Sequence, residues 1–193
     1  MAILVTAFVP FGGDAKNASQ EILRALPETL GGVRLEKQCL PVSFFAASVI
    51  AVETALSLRP EAIVCLGQAG GRDAVTPERV AVNLMNARIP DNDGFQPVDT
   101  PVIKDAPAAY FSALPVKAMV DAMQRLGIPA RLSDSAGTYV CNALMFSMLH
   151  HIREIPRGFI HVPYLTEQGK GSETPSLPKQ LVLRGVTACL QTL

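Results

Sequence analysis

The residues of this chain best suited to chemistry are its four cysteines and three histidines, because a thiol and an imidazole together can supply a nucleophile and its base. Cys141 opens an apolar helical run that His150 and His151 close. A helix rises ~1.5 Å per residue, so these two histidines lie about 14 Å from Cys141 along the axis. His161 lies near the end of an apolar strand instead, where the carboxyl ends of parallel strands line a ligand crevice. Elimination therefore leaves His161 as the partner of Cys141.

Cys141 follows a strand-to-helix turn and is expected in the first turn of its helix. The free N–H groups and the positive end of the helix dipole favour a thiolate there, which predicts a lowered pKa and a reactive sulfur. The same amides suit the oxyanion that forms when the sulfur attacks a carbonyl. An inert core cysteine is the competing interpretation, since free cysteines are among the most buried residues. Position alone leaves both interpretations open.

The other cysteines lie in predicted strands or on the apolar face of the last helix and are interpreted as structural. No two of the four have the C-x-x-C spacing, so neither a zinc site nor a thioredoxin-type motif is indicated. We expect no metal and no cofactor. These structural cysteines are Cys39, Cys65 and Cys189.

A nucleophile and its base usually need a third group that orients the imidazole and stabilises its charged form. Glu78 follows a proline at the start of a strand-like segment and offers a carboxylate for this purpose. A glutamate beside an arginine is, however, more often a solvated charge. Spacing alone does not select Glu78.

Two aromatic residues and two glycine-rich turns suggest where a ligand could bind. Phe8 and Phe11 bracket a proline at the carboxyl end of the first strand, where they are either core residues or the walls of a small apolar pocket. The turns, FVPFGG and GQAGGR, contain no complete phosphate-binding motif, and tight turns with positive φ explain them equally well. The stretch DNDG lacks the glutamate of a calcium loop and is interpreted as a turn. A non-catalytic or nucleoside-binding protein that uses the glycine turns for a ligand is the second hypothesis.

Short apolar runs rich in β-branched residues alternate with segments of helical period along the chain. This alternation predicts the α/β class, with a mostly parallel, twisted sheet flanked by helices. Strands are expected at Ala2–Thr6, Arg34–Val42, Ala62–Gly67, Arg79–Asn86, Ala130–Ser135 and Gly158–Tyr164. Helices are expected at Ser19–Leu26, Ser43–Leu58, Pro115–Gly127, Tyr139–Ile152 and Pro178–Gln191, and a loop or irregular hairpin at Ala87–Val102.

Length and composition indicate a single domain that spans residues 1–193. Charged residues form 18% of the chain, against roughly a quarter in a typical domain, which predicts buried contacts in a homo-oligomer. Seventeen basic residues balance seventeen acidic ones without a basic cluster, so nucleic acid is not an expected partner. The N-terminus does not read as a secretion signal, and no apolar run approaches the ~20 residues of a membrane span. A cytoplasmic location away from the membrane is therefore expected.

Six motifs, in order from Leu4 to Gln168, resemble those of the pyroglutamyl peptidase I family, the pyrrolidone-carboxylate peptidases. They are LVTAFVPFGG, GQAGGR, TPERVAVN, ARIPDNDG, DSAGTYVCN and GFIHVPYLTEQ. The resemblance implies a fold similar to α/β/α phosphorylase-like enzymes. It also implies a cysteine exopeptidase, an omega peptidase, that removes N-terminal pyroglutamyl residues from peptides through a thioester. Members of the family often form homodimers or homotetramers.

The same resemblance assigns roles to individual residues. It implies Cys141 as nucleophile, His161 as base and Glu78 as the carboxylate that orients His161. Arg88, with the amide of Cys141, would face the oxyanion. The implied pyroglutamyl pocket is lined by Phe8, Phe11, Gln68, Ile89, Tyr139 and Val140.

Overall fold

The computed structural model describes residues 1–193 and contains ten strands and five α-helices. The strands are β1 (Ala2–Phe8), β2 (Thr29–Leu30), β3 (Val33–Leu40), β4 (Ala62–Gln68), β5 (Thr76–Pro77), β6 (Val80–Val82), β7 (Ala109–Phe111), β8 (Arg157–Val162), β9 (Tyr164–Leu165) and β10 (Ser176–Leu177). The helices are α1 (Ala18–Ala25), α2 (Ala46–Leu58), α3 (Val116–Arg125), α4 (Val140–His151) and α5 (Lys179–Leu190), and a 3₁₀ turn spans Thr166–Gln168. None of the helices has both the length and the apolar character needed to cross a bilayer.

Six strands form the central sheet, in the order β2-β3-β1-β4-β8-β5. The four inner strands run parallel, while β2 and β5 pair antiparallel at the two edges. Every residue of β4 is buried, as expected for a strand covered on both faces of a parallel sheet. The predicted α/β class, with a mostly parallel sheet flanked by helices, is confirmed.

Alternate residues of the inner strands belong to two separate cores, one on each face of the sheet. Val64 and Leu66 of β4 pack with α1, α3 and α5, whereas Ile63 and Cys65 pack with α2 and α4. This follows from the period of two along a strand, which turns neighbouring side chains to opposite faces. The residue after Leu66 is Gly67, which therefore faces the α4 side at the carboxyl end of β4.

Helix α4 is buried along most of its length because it is apolar on nearly all sides. Nine of its residues, from Val140 to Leu149, are buried against β8, β6 and α2. The stripe Ala47, Ala51 and Ala55 of α2 is buried, and such small side chains permit close approach of the two helices. The start of α4 is thereby fixed at the carboxyl edge of the sheet.

Two predicted strands are wrong or too long. Residues 130–135 do not form a strand, because they pair with the β5 region only at two isolated bridges, Val75 with Ala130 and Glu78 with Ser133. The strand predicted for Arg79–Asn86 shrinks to Val80–Val82. Asn83 adds one further bond, from its N–H to Ala108 O at 2.8 Å, and its side chain bonds to the backbone of Ile103.

Candidate active site

Gly67 brings Cys141 next to the strand that carries His161. In the parallel pairing of β4 with β8, Gly67 lies beside His161. Paired residues point to the same face, and neighbouring strands are about 4.8 Å apart. A Cβ atom on Gly67 would lie 2.9 Å from Cys141 Sγ, so the sulfur packs directly on this glycine. Sulfur and imidazole therefore share one face at the carboxyl end of the sheet.

Cys141 lies in the first turn of α4, as predicted, at its second residue, and the N-cap residue Tyr139 makes no side-chain bond to the free amides of that turn. The prediction of a lowered pKa is wrong for the free protein. Burial, reinforced by the negative charge of Glu78, raises the pKa of Cys141 to about 12, and the opposing charge of Arg72 is the smaller influence. The thiol is therefore protonated at neutral pH and must lose its proton before it can react.

His161 is hydrogen-bonded to Glu78, with 2.7 Å between Nδ1 and Glu78 Oε1. Glu78 directly follows β5, whose pairing with β8 places the carboxylate beside His161. In that pairing Thr76 lies opposite His161, and the Glu78 N–H donates to Phe159 O at 2.9 Å. Both residues are buried, at 4% exposure for His161 and 0% for Glu78. An ionised carboxylate only accepts hydrogen bonds, so Nδ1 carries the hydrogen and Nε2 is left as an acceptor.

The charge states of this pair follow from burial and from each other. Burial lowers the pKa of His161, and the hydrogen bond and charge of Glu78 act in the opposite direction. For Glu78, burial is the largest single influence and acts to raise the pKa. The hydrogen bond from His161, the charges of His161 and Arg72 and the nearby Ser133 hydroxyl nevertheless lower it overall. At neutral pH the site therefore holds a carboxylate, a neutral imidazole and a neutral thiol.

Arg72 belongs to this site although sequence reasoning missed it. Its Nη1 atom donates to Glu78 Oε1 at 2.6 Å and also contacts Thr76 Oγ1. The only signal in the sequence is its place at the end of GQAGGR, six residues before Glu78. Arginines are mostly exposed in proteins, so that place alone does not distinguish Arg72 from a solvated side chain.

Five of the six residues predicted for the substrate pocket do lie together. They enclose a cavity that reaches Cys141, and its volume of about 10 Å³ corresponds to roughly one water molecule. The five are Phe8, Phe11, Gln68, Tyr139 and Val140, and the lining is completed by Asn17 and Val42, which sequence reasoning missed. The pocket is closed in the free protein.

Ile89 and Arg88 lie outside this cavity. Ile89 is 45% exposed and borders the loop after β1, where a Cβ atom on Gly12 would lie 3.9 Å from its Cδ1 atom. Arg88 is exposed and makes neither a side-chain hydrogen bond nor an ion pair. The roles that the resemblance implies for both residues stay predictions.

Tyr139 and Phe11 close the cavity from two loops that are themselves braced. The Tyr139 hydroxyl donates to Pro90 O at 2.9 Å, and its ring lies 5.2 Å from Phe44 and 6.1 Å from Phe11. Asp91 accepts three backbone N–H bonds, one of them from Phe44. The stretch DNDG is thus a turn, as predicted. Through the bond from the Phe44 N–H to Asp91, this turn fixes the Phe44 ring against Tyr139, which lines the pocket.

No group of three or more His, Cys, Asp or Glu side chains is arranged to hold a metal ion. The site offers instead a thiol, an imidazole oriented by a carboxylate, and a small cavity with mostly apolar walls. Groups of this kind suit acyl transfer to sulfur.

The full length of the chain, residues 1–193, matches the family model described as pyroglutamyl peptidase. The chain belongs to the pyroglutamyl peptidase family. Its recognition from six motifs is thereby confirmed, and with it the class of activity, a cysteine-type hydrolase that removes N-terminal pyroglutamate.

Relatives of this pyroglutamyl peptidase family member match it over nearly their whole length. The chain is 41% identical to a pyrrolidone-carboxylate peptidase of Thermococcus onnurineus, covering 100% of the chain and 98% of the relative. It is 43% identical to that of Levilactobacillus brevis, covering 100% and 97%. Among solved structures, pyroglutamyl peptidase I of Bacillus amyloliquefaciens superposes with a TM-score of 0.95 at 39% identity, covering 99% of this chain and 93% of that one.

Proposed function

We propose that Cys141, His161 and Glu78 form the catalytic triad with which this chain removes the N-terminal pyroglutamyl residue from peptides. The observation that carries the proposal is the buried His161–Glu78 pair on the same sheet face as the Cys141 sulfur. The mostly apolar cavity that opens onto this sulfur gives the acyl group of a substrate a place to bind.

Acylation begins with a protonated thiol, because burial raises the pKa of Cys141 to about 12. His161 Nε2 takes the thiol proton as the sulfur attacks the carbonyl carbon that joins the pyroglutamyl residue to the peptide. A C–S bond forms, and the carbonyl oxygen becomes an oxyanion. His161 then passes the proton to the amide nitrogen, the C–N bond breaks, and the peptide leaves with a free amine.

Deacylation repeats the sequence with water. His161, again neutral, removes a proton from a water molecule that attacks the thioester carbonyl, and the C–S bond breaks as the sulfur regains its proton. Glu78 accepts the hydrogen bond from Nδ1 throughout the reaction. It therefore fixes the orientation of the imidazole and stabilises the imidazolium that forms in both steps.

The oxyanion is held by the amides at the start of α4, where Tyr139 provides no competing side-chain cap. Arg88 is proposed as a second donor. Its side chain is exposed and has no partner in the free protein, so it is free to turn toward a bound substrate.

The pocket suits a neutral lactam ring. Its lining is mostly hydrophobic and contains no carboxylate that could pair with an ammonium group. An ordinary charged N-terminus would lose its hydration there without compensation, which costs several kcal/mol. A blocked, uncharged ring is therefore preferred. Ile89, at the rim, is proposed to contact the substrate after the pocket opens.

The experiment that tests this function measures release of a fluorophore from a pyroglutamyl amide by the wild type, Cys141→Ala and Glu78→Gln. We expect turnover by the wild type, none by Cys141→Ala, and an intermediate loss for Glu78→Gln. A prolyl amide, whose ring carries a charged amine in place of the lactam, serves as the control substrate. An inactive wild type or an active Cys141→Ala variant refutes the proposal, and nucleotide binding by that inactive protein would favour a nucleoside-binding function.

We further propose that the chain works in the cytoplasm as a homodimer or homotetramer. The support for the oligomer is the low charge content and the exposed apolar residues of α2 and its N-cap, Phe45, Val49 and Leu56. Two of them also line an apolar cavity of about 290 Å³ between α2 and α4. Light scattering coupled to gel filtration measures the mass, and a monomer across the micromolar range would contradict the oligomer.

A further inference from the structure

We propose that Arg72 is a positioning residue that keeps Glu78 ionised and directed at His161. The inference rests on the proposed function, because it concerns the same triad, and it extends that triad to a fourth side chain. Arg72 acts on the reaction through Glu78 and does not bind the substrate.

Arg72 and His161 both donate hydrogen bonds to the same oxygen of Glu78. Arg72 Nη1 lies 2.6 Å from Glu78 Oε1, and His161 Nδ1 lies 2.7 Å from the same atom. The other oxygen, Oε2, is buried without a hydrogen-bond partner, although Ser133 lies close by with its hydroxyl donated to Ser135 O. The position of the carboxylate is therefore determined by two donors on Oε1.

The charges around Glu78 leave Arg72 as its permanent counter-charge. Glu78 is fully buried, and a buried carboxylate without a paired cation is strongly disfavoured. His161, on β8, is neutral at rest because burial lowers its pKa. The nearby cations Arg79 and Arg131 are paired with other carboxylates. Arg79 binds Asp134 at 3.0 Å and Arg131 binds Asp73 at 2.5 Å.

Arg72 is itself held in place from three directions. Its guanidinium contacts Thr76 Oγ1 in addition to Glu78, and Nη2 lies 3.5 Å from Ser135 O. Its backbone N–H closes a turn to Ala69 O at 3.4 Å, directly after Gly71 with φ of 85°. A planar guanidinium can address several acceptors at once, which an ammonium cannot.

Loss of this charge would impair the base in two ways that act in the same direction. Without Arg72, Glu78 takes up a proton at higher pH, and a protonated carboxyl can donate to Nδ1. Nε2 then carries the hydrogen and cannot accept the thiol proton. The charge of Arg72 also lowers the pKa of His161, so its removal favours the inactive imidazolium. Both effects move the acid limb of the activity profile to higher pH.

The experiment compares Arg72→Met, Arg72→Lys and the control Arg131→Met by kcat, KM and pH profile with a pyroglutamyl amide. Arg72→Met should lose kcat by about tenfold to a hundredfold, with KM changed less than about threefold and the acid limb raised by about half a unit or more. Arg72→Lys keeps the charge and should return the acid limb toward the wild-type position. Arg131→Met removes the ion pair with Asp73, the residue that follows Arg72, and should match the wild type. A folded Arg72→Met variant with the wild-type acid limb would overturn the proposal.

Two further measurements test the role of Arg72 independently of peptidase activity. An inactive wild type would refute the proposed function, but the rate at which iodoacetamide alkylates Cys141 at pH 8 would still report on Arg72. Arg72→Met should slow that reaction severalfold, because the guanidinium lowers the pKa of the thiol, and an unchanged rate would count against the proposal. If Arg72→Met does not fold, ¹³C-glutamate NMR of the wild type follows Glu78 directly. Its carboxyl should titrate below the ordinary value of 4.5, and titration above it would overturn the inference.

Discussion

The side-chain amide of Asn142 pairs with both backbone polar groups of Val82, accepting from its N–H and donating to its C=O, each at 2.9 Å. A third bond from the same amide reaches Leu84 O at 3.0 Å. Asn142 is fully buried and adjoins Cys141, and Val82 lies four residues beyond Glu78. One side chain thus ties the segment of the nucleophile to the segment of the carboxylate.

Asn142→Leu should destabilise the protein strongly, because it leaves three backbone groups that Asn142 now satisfies without partners. Each buried unsatisfied group costs about 1–3 kcal/mol, so we expect a loss of about 3 kcal/mol or more in the free energy of unfolding. Urea unfolding measures it. The control is Asn92→Ala, which removes one exposed bond to Pro10 O and should cost less than about 1 kcal/mol. Equal losses in the two variants would contradict the role given to Asn142.

Gly67→Ala should abolish most activity while the protein still folds. The new methyl would lie 2.6 Å from the Phe159 ring and 2.9 Å from Cys141 Sγ, so the sulfur must move away from the imidazole. A displacement of about 1 Å at a reacting atom costs on the order of a hundredfold in kcat. Gly185→Ala on α5, whose methyl would touch only the flexible side chains of Ile128 and Met123 at 3.3 Å, should keep wild-type kcat. Wild-type turnover by Gly67→Ala would show that the sulfur does not need this glycine.

Phe11→Ala should weaken substrate binding more than it slows chemistry. The ring is one wall of the cavity at Cys141, and its loss removes apolar contact with the lactam, worth about 1–3 kcal/mol. We expect KM to rise by about tenfold or more, with kcat reduced less. Phe111→Ala, at a phenylalanine of β7 that is 74% exposed, is the matched control and should leave KM unchanged. A lower kcat at constant KM would argue against a binding role for Phe11.

The free enzyme should react with iodoacetamide as an ordinary protonated thiol does. With the pKa of Cys141 raised to about 12, the thiolate fraction grows about tenfold for each pH unit between pH 7 and 9. Alkylation of Cys141 should therefore accelerate across that range without a plateau. A Cys39→Ser background removes the exposed cysteine, and peptide mapping follows Cys141. A rate that is already constant below pH 7 would indicate a preformed thiolate–imidazolium pair and contradict this result.

Strands β1 and β4 could be predicted because their residues are apolar in nearly unbroken runs. Strands of two or three residues, such as β5 and β7, are too short to show a period, and their pairing depends on distant partners. The same limit explains the strand wrongly predicted for residues 130–135. Its composition is compatible with extended structure, but only Ala130 and Ser133 find a partner.

The site was predictable to the extent that chemistry restricts the choice of residues. Three histidines permit elimination, which reached the pairing of Cys141 and His161, whereas Glu78 needed the resemblance to a family. Arg72 was missed because its contact with Glu78 depends on the path of the loop between β4 and β5, which spacing does not encode. Cys141 lies at the start of its helix as expected, but its pKa is raised and not lowered, since burial and the charge of Glu78 outweigh a partial charge at a helix end.

The closed cavity beside Cys141 has a kinetic consequence. A space for one water is too small for a lactam ring, so the cavity must widen before the ring can bind, and the Phe11 and Tyr139 rings, 6.1 Å apart, line it. Association is thus divided into a bimolecular encounter and a unimolecular opening whose rate is independent of peptide concentration. Asp91 accepts a hydrogen bond from the Phe44 N–H, and the Phe44 ring packs against Tyr139. Asp91 would therefore limit the maximum rate of substrate binding without touching the substrate.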